Sequence, residues 1–144
     1  MRTLVQPSRY RIRIVRRTRA LDWLLVVDDS PLSARATARL LRGTFGVPVR
    51  IASDLQAVRT ILSEVRVAPI AVVLDYELGV GETGLMALRL IRSLGVRAPC
   101  AFFTGAADKL RSQRGRGKIP VFARSGSPHE VTDWIASQRL AKTG

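Results

Sequence analysis

The sequence predicts an α/β fold: a five-stranded parallel sheet, doubly wound, with helices on both faces. Two observations carry this. Five short apolar segments alternate with five stretches read as helices, and the links between them are short. Two of the segments, Trp23–Val27 and Pro69–Leu74, are continuously apolar, the mark of strands covered on both faces. Right-handed crossovers between such strands put the helices on both sides of one sheet.

The elements follow in order. Trp23–Asp28 is the first strand, apolar until the acids that close it. Ser30-Pro31 starts a helix, Ser as the cap and Pro at the first helical position, where its missing N–H is no loss. That helix is expected to run to about Arg42 and stop at Gly43, with Arg35, Arg39 and Arg42 forming one solvated basic stripe. Val47–Ala52 is the second strand. Leu55, Val58, Leu62 and Val65 then mark the inner face of a helix capped by Asp54. Pro69–Leu74 is the third strand, Asp75–Thr83 a glycine-containing loop, and Gly84–Leu94 a helix with Leu85, Leu88 and Ile91 inward. Ala98–Phe103 is the fourth strand. Asp108–Lys118 is polar and broken by glycines, so its helix should be short. Ile119–Ala123 is the fifth strand, and Pro120, lacking a ladder donor, assigns it to a sheet edge. Ser127-Pro128-His129-Glu130 has the spacing of a capping box before a helix with Val131, Trp134 and Ile135 on its inner face; His129 should be exposed.

Composition narrows the classes. Apolar residues make up 47% of the 144, which suits one globular domain and excludes general disorder. No apolar run is long enough to span a membrane. Cys100 is the single cysteine, so no internal disulfide can form; lying in an apolar segment, it is expected to be a small core residue. The formal net charge is +13, and 21 of the 24 basic residues are Arg. Residues 1–20 hold seven Arg and no acid, so the chain divides into a basic extension, 1–21, and a domain, 22–144. No signal-peptide apolar segment follows the charges, and a cytoplasmic location is expected.

Ligands of open α/β sheets bind outside the carboxyl ends of the strands. The first strand ends in Asp28-Asp29, the third in Asp75, the fourth in Thr104-Gly105 and the fifth in Arg124-Ser125. Three carboxylates on one edge repel unless a cation neutralises them, and magnesium takes oxygen ligands of this kind. A carboxylate held there can attack phosphorus, a hydroxyl can bond the new phosphoryl group, and a guanidinium can pair with it.

At this point the residues resemble the receiver domain of two-component response regulators. The matching segments are Leu24-Leu-Val-Val-Asp-Asp-Ser-Pro31, Val72-Val-Leu-Asp-Tyr-Glu-Leu78 with Gly84-Leu85 beyond, Phe102-Phe-Thr-Gly105, and Val121-Phe-Ala-Arg-Ser-Gly-Ser-Pro128. The resemblance covers roughly 22–142 and implies the flavodoxin-like strand order 2-1-3-4-5. It also implies that Asp75 is the phosphoacceptor and that Asp28, Asp29, Asp75 and the backbone carbonyl of Glu77 hold Mg2+. Thr104 becomes the switch hydroxyl and Arg124 the phosphate-binding cation. The donor would be a sensor histidine kinase or a phosphotransfer protein, and the output an unidentified protein reached by direct contact. Such a chain is not an enzyme beyond catalysing its own phosphorylation and dephosphorylation. With no output domain after the fifth helix, a stand-alone receiver is expected. Two positions depart from the family: Arg124 stands where Lys is usual, and Val121 where an aromatic switch residue is usual. Output is therefore expected to rest on the basic segment and fifth strand, with Arg111, Arg114, Arg116, Lys118 and Val121 as the partner surface.

Three other readings compete. A degenerate receiver would keep the fold as a phosphorylation-independent interaction module, which Arg124 and Val121 favour and the intact acids oppose. A nucleic-acid binder would use the basic extension and Arg111–Lys118, but those patches lack clustered aromatics for base stacking. A phosphatase-type hydrolase wants an Asp-x-Asp pattern, whereas Glu77 stands two after Asp75. A homodimer is among the candidate partners.

Overall fold

Runs of Leu, Val and Ala make the central strands, and their burial fixes their place. The computed structural model describes residues 21–113 and 115–143, with side chains described through Arg139. Strands β1 (Leu24–Val27), β3 (Ala71–Leu74) and β4 (Cys100–Thr104) are buried at every position. Strand β2 (Val49–Ala52) has exposed and half-buried positions, and β5 (Val121–Ala123) is half-buried throughout. The five form one parallel sheet in the order β2-β1-β3-β4-β5, so the partly exposed strands are its edges. This is the 2-1-3-4-5 order implied by the resemblance, and Pro120 precedes an edge strand as the missing donor requires.

Among the described residues five helices cover the sheet: α1 (Pro31–Phe45), α2 (Leu55–Glu64), α3 (Gly84–Ser93), α4 (Ala107–Arg111) and α5 (His129–Thr143). The two-residue period of a strand sends alternate side chains to opposite faces. Leu25, Val27, Val72, Leu74 and Phe102 pack with Val58 and Ile61 of α2, Leu88 and Ile91 of α3 and Leu110 of α4. Leu24, Val26, Val73 and Phe103 pack on the other face with Ala38 and Leu41 of α1 and Val131 and Ile135 of α5. Each large side chain sequestered this way contributes about 1.5–3 kcal/mol, so the two layers hold the strand ends in fixed relation.

Several boundaries differ from the sequence-based expectation. Helix α1 passes through Gly43 and ends at Gly46, whose φ of 65° gives the left-handed cap and whose N–H bonds the Arg42 carbonyl. The α2 face is centred on Val58 and Ile61, while Leu62 and Val65 are half-buried. Helix α4 is short, as the glycines predict, with five residues. The expected capping box at α5 forms differently. Ser127 Oγ accepts from the N–H of His129, 3.2 Å, and the N–H of Glu130 bonds the Ser127 carbonyl instead. Trp134 is half-buried, tilted against Phe122 at 6.3 Å between centroids. Trp23 is buried, its Nε1 donating to the Val67 carbonyl at 2.8 Å, and Cys100 is buried with its thiol pushed up to about 11 by burial. Residues 1–20 and Arg114 lie outside the described residues. Among the described residues no helix is long and apolar enough to cross a membrane.

Candidate functional site

Register brings the strand ends level. Val27 pairs with Leu74, Leu74 with Phe102, and Thr104 with Ala123. The next residues, Asp28, Asp75 and Arg124, continue the ladder through N–H bonds to the carbonyls of Ala52, Val27 and Thr104. Asp28, Asp29, Asp75, Thr104 and Arg124 are thereby set along the carboxyl edge of the sheet. One carboxylate oxygen from each of Asp28, Asp29 and Asp75 lies within 4.8 Å of the other two.

The three acids have different surroundings. Asp28 is buried, its Oδ1 accepting from the N–H of Ser30 at 2.9 Å and its Oδ2 from Arg124 Nη2 at 2.7 Å. Asp29 is exposed, and Gly79 approaches it so closely that a side chain there would meet Asp29 Oδ2 at 3.0 Å; with φ of 84° as well, position 79 suits only glycine. Asp75 is half-buried, and its Oδ1 accepts from the N–H of Tyr76 at 2.8 Å. Burial pushes the Asp75 carboxyl above its ordinary range, a hydrogen bond from Thr104 opposes this, the charge of Asp28 adds to the rise, and Arg124 and the Tyr76 N–H counter it. Thr104, 1% exposed, also accepts from the N–H of Ala106 at 3.1 Å, so its hydroxyl already faces the acid.

The loop after β3 is braced rather than loose. The N–H of Gly84 bonds the Tyr76 carbonyl and the N–H of Leu78 bonds the Glu82 carbonyl, which tucks Tyr76 and Leu78 into the core. Glu82 Oε1 accepts from the N–H of Leu55, tying this loop to the start of α2 at 3.1 Å. The Glu77 carbonyl accepts none of these bonds. An open depression of about 420 Å³ lies between Tyr76, Glu77, Gly79, Glu82 and Lys109, and none of the three Asp lines it.

The donor set fits magnesium. Three carboxylates offer hard oxygens at separations comparable with the roughly 4 Å across an octahedral magnesium shell. Asp29 is the freest of the three, since both oxygens of Asp28 already accept hydrogen bonds and Asp75 accepts from the Tyr76 N–H and from Thr104.

The proposed partner surface is less uniform than the sequence suggested. Arg111 is exposed but pairs with Asp108 at 3.4 Å and donates to the Val121 carbonyl. Arg116 is half-buried and folds back onto the carbonyls of Ile119 and Arg111, bracing its own loop. Lys118 is exposed and has no partner among the described residues, while Val121 packs against the α2–α3–α4 side. Sequence reasoning missed two neighbours of the site. Lys109 Nζ pairs with Glu77 at 3.3 Å and lies over the Tyr76 ring, and Ser33 Oγ accepts from Arg124 Nη1 at 2.7 Å. Neither belongs to a motif; only the packing of α4 and α1 brings them in.

Solved structures resemble this fold over most of the chain. A receiver domain protein from Clostridium thermocellum superposes with a TM-score of 0.71 over 85% of this chain and 97% of its own, at 19% identity. The response regulator TrrA from Thermotoga maritima, solved in complex with Mg2+ and BeF, gives 0.70 over 81% and 98%, at 21% identity. The N-terminal domain of a response regulator/sensory box/GGDEF protein from Carboxydothermus hydrogenoformans gives 0.66 over 84% and 95%, at 23% identity. The chain has the receiver-domain fold. No protein-family model and no curated protein matches the sequence. The acid cluster lies at the carboxyl edge, where the strand order 2-1-3 turns back.

Proposed function

We propose that this receiver accepts a phosphoryl group on Asp75, with Mg2+ bound, and signals by contact with another protein. The observation that carries the reading is the convergence of Asp28, Asp29 and Asp75 within 4.8 Å, with Thr104 and Arg124 at the same edge. The Asp75 carboxylate, made more basic by burial and by Asp28, attacks phosphorus. A new P–O bond forms while the bond from phosphorus to the donor imidazole nitrogen breaks, and that nitrogen keeps the electron pair. The donor is a phosphohistidine of a sensor histidine kinase or a phosphotransfer protein. Asp29, Asp75, Asp28 and the Glu77 carbonyl would hold magnesium, which would neutralise the phosphoryl oxygens. Thr104 donates its hydroxyl to the phosphorylated residue and Arg124 supplies the cation on the β5 side. The chain acts on nothing but its own phosphorylation state.

A second reading has its own support. Arg124 is already engaged with Asp28 and Ser33 before any phosphoryl group arrives, which suits an interaction module that needs no phosphorylation. Intact mass after incubation with magnesium and acetyl phosphate separates the two. A single phosphate adduct, lost in Asp75→Asn and in chelator, is the expected result. No adduct on the wild-type chain would overturn the phosphoacceptor reading in favour of the second.

A further inference from the structure

We propose that Ser33 is a positioning residue for Arg124, holding its guanidinium in the orientation that serves a phosphoryl group on Asp75; this rests on the phosphoacceptor reading above. Arg124 follows a three-residue edge strand and its N–H bonds the Thr104 carbonyl, which fixes the start of the side chain but not its far end. An arginine side chain is long and rich in rotamers, and its usefulness lies in a planar fork whose donors must be aimed. Here the aim is set from three elements. Nη2 donates to Asp28 beyond β1, Nη1 donates to Ser33 in α1, and the Phe103 ring of β4 lies under Cζ at 5.0 Å. The carboxylate alone would leave the plane free to roll about one bond; the second bond, to Ser33, removes that freedom. Among the described residues these two bonds engage two of the five guanidinium N–H donors, so the remainder can meet an anion.

Five of the other helical hydroxyls behave differently from Ser33. Thr44, Ser63, Ser93, Thr132 and Ser137 all donate to carbonyls of their own helices three or four residues back. Ser33 Oγ instead accepts from a residue 91 positions away in the chain, at 2.7 Å. The hydroxyl is thus the acceptor that a planar fork requires and a lysine, a single point charge, would not. The structure pairs the arginine at 124 with the serine at 33.

The test uses the full chain, with Mg2+ and beryllofluoride as a phosphoryl mimic, titrated by calorimetry. Ser33→Ala should weaken beryllofluoride binding about tenfold, the scale of one hydrogen bond to a charged group, and Ser33→Thr should restore it. In an Arg124→Lys background Ser33→Ala should change the affinity less than about twofold. Guanidinium 15N NMR gives a readout independent of phosphoryl chemistry: separate Arg124 Nη signals in the wild type, merged in Ser33→Ala. Equal affinity and unchanged Nη signals in Ser33→Ala would overturn the proposal. So would an equal loss in the Arg and Lys backgrounds, which would mean that α1 and not the fork was disturbed. A wild-type chain that takes up no beryllofluoride while its Nη signals still depend on Ser33 overturns the phosphoacceptor reading and supports the positioning.

Discussion

Gly84 opens α3 and is the most crowded of the described glycines, and replacing it with alanine sets two effects of opposite sign against each other. Alanine is favoured over glycine inside a helix by about 1 kcal/mol, and by less in the first turn. A methyl group at 84, however, would lie 2.8 Å from Phe102 Cε1 and closer still to the carbonyl oxygen of Asp75. Phe102 is fully buried and the carbonyl is backbone, so neither can turn aside, and overpacking of this kind costs about 1–3 kcal/mol. Sterics win, for a net loss of about 2 kcal/mol, or about 8 °C in Tm for a domain of this size. Gly43 supplies the control. It lies inside α1, and a methyl group added there would meet nothing within 4 Å, so Gly43→Ala should gain about 0.5–1 kcal/mol and raise Tm by about 2–4 °C. Thermal unfolding followed by circular dichroism reads both. Because the obstacle is the carbonyl of Asp75 itself, Gly84→Ala should also slow adduct formation from acetyl phosphate while Gly43→Ala leaves it unchanged. A Gly84→Ala protein melting at or above the wild type would refute the steric argument.

Two further outcomes are expected. Arg124→Ala leaves the Asp28 carboxylate, 1% exposed, with the Ser30 N–H alone; truncating a buried partner costs about 3–5 kcal/mol, and the quarter exposure of Arg124 lowers this to about 2 kcal/mol. Asp28→Asn in that background should recover most of the loss in urea denaturation, and strictly additive effects would argue against the pair. Asp75→Asn should melt above the wild type at neutral pH in chelator. The folded-state pKa of Asp75 is raised, so the native protein binds the proton more tightly than the unfolded chain. The penalty of ionising Asp75 is absent below the ordinary value of 3.8 and grows as pH rises through the raised one. The Tm difference should therefore vanish on acidification below 3.8; a constant difference at all pH values would contradict it.

Much of this was legible because the physics was local. The apolar runs ending in Asp28 and Asp75 mark buried parallel strands and also say which residues emerge at the carboxyl edge. The end of α1 was misplaced because Gly43 has ordinary helical geometry, and the left-handed requirement falls on Gly46, where only the backbone angle shows it. Arg116 was read as displayed because charge suggests solvent, whereas loop carbonyls nearby draw its guanidinium inward. Ser33 and Lys109 were out of reach for a different reason. Their partners lie 91 and 32 residues away, and no local pattern encodes which hydroxyl or ammonium a folded helix will turn toward the site.

The order β2-β1-β3-β4-β5 also distributes resistance to opening unevenly across the site. Asp28 and Asp75 are attached to strands bonded on both sides and buried throughout, the part of such a fold whose amides exchange last. Arg124 hangs from β5, three residues long and bonded on one side only. A brief local release of that margin would carry the cation away while the acids stayed in register. The acidic half of the pocket thus stands on doubly bonded strands and the basic half on a singly bonded one, where the bonds to Asp28 and Ser33 add the hold that the sheet does not give.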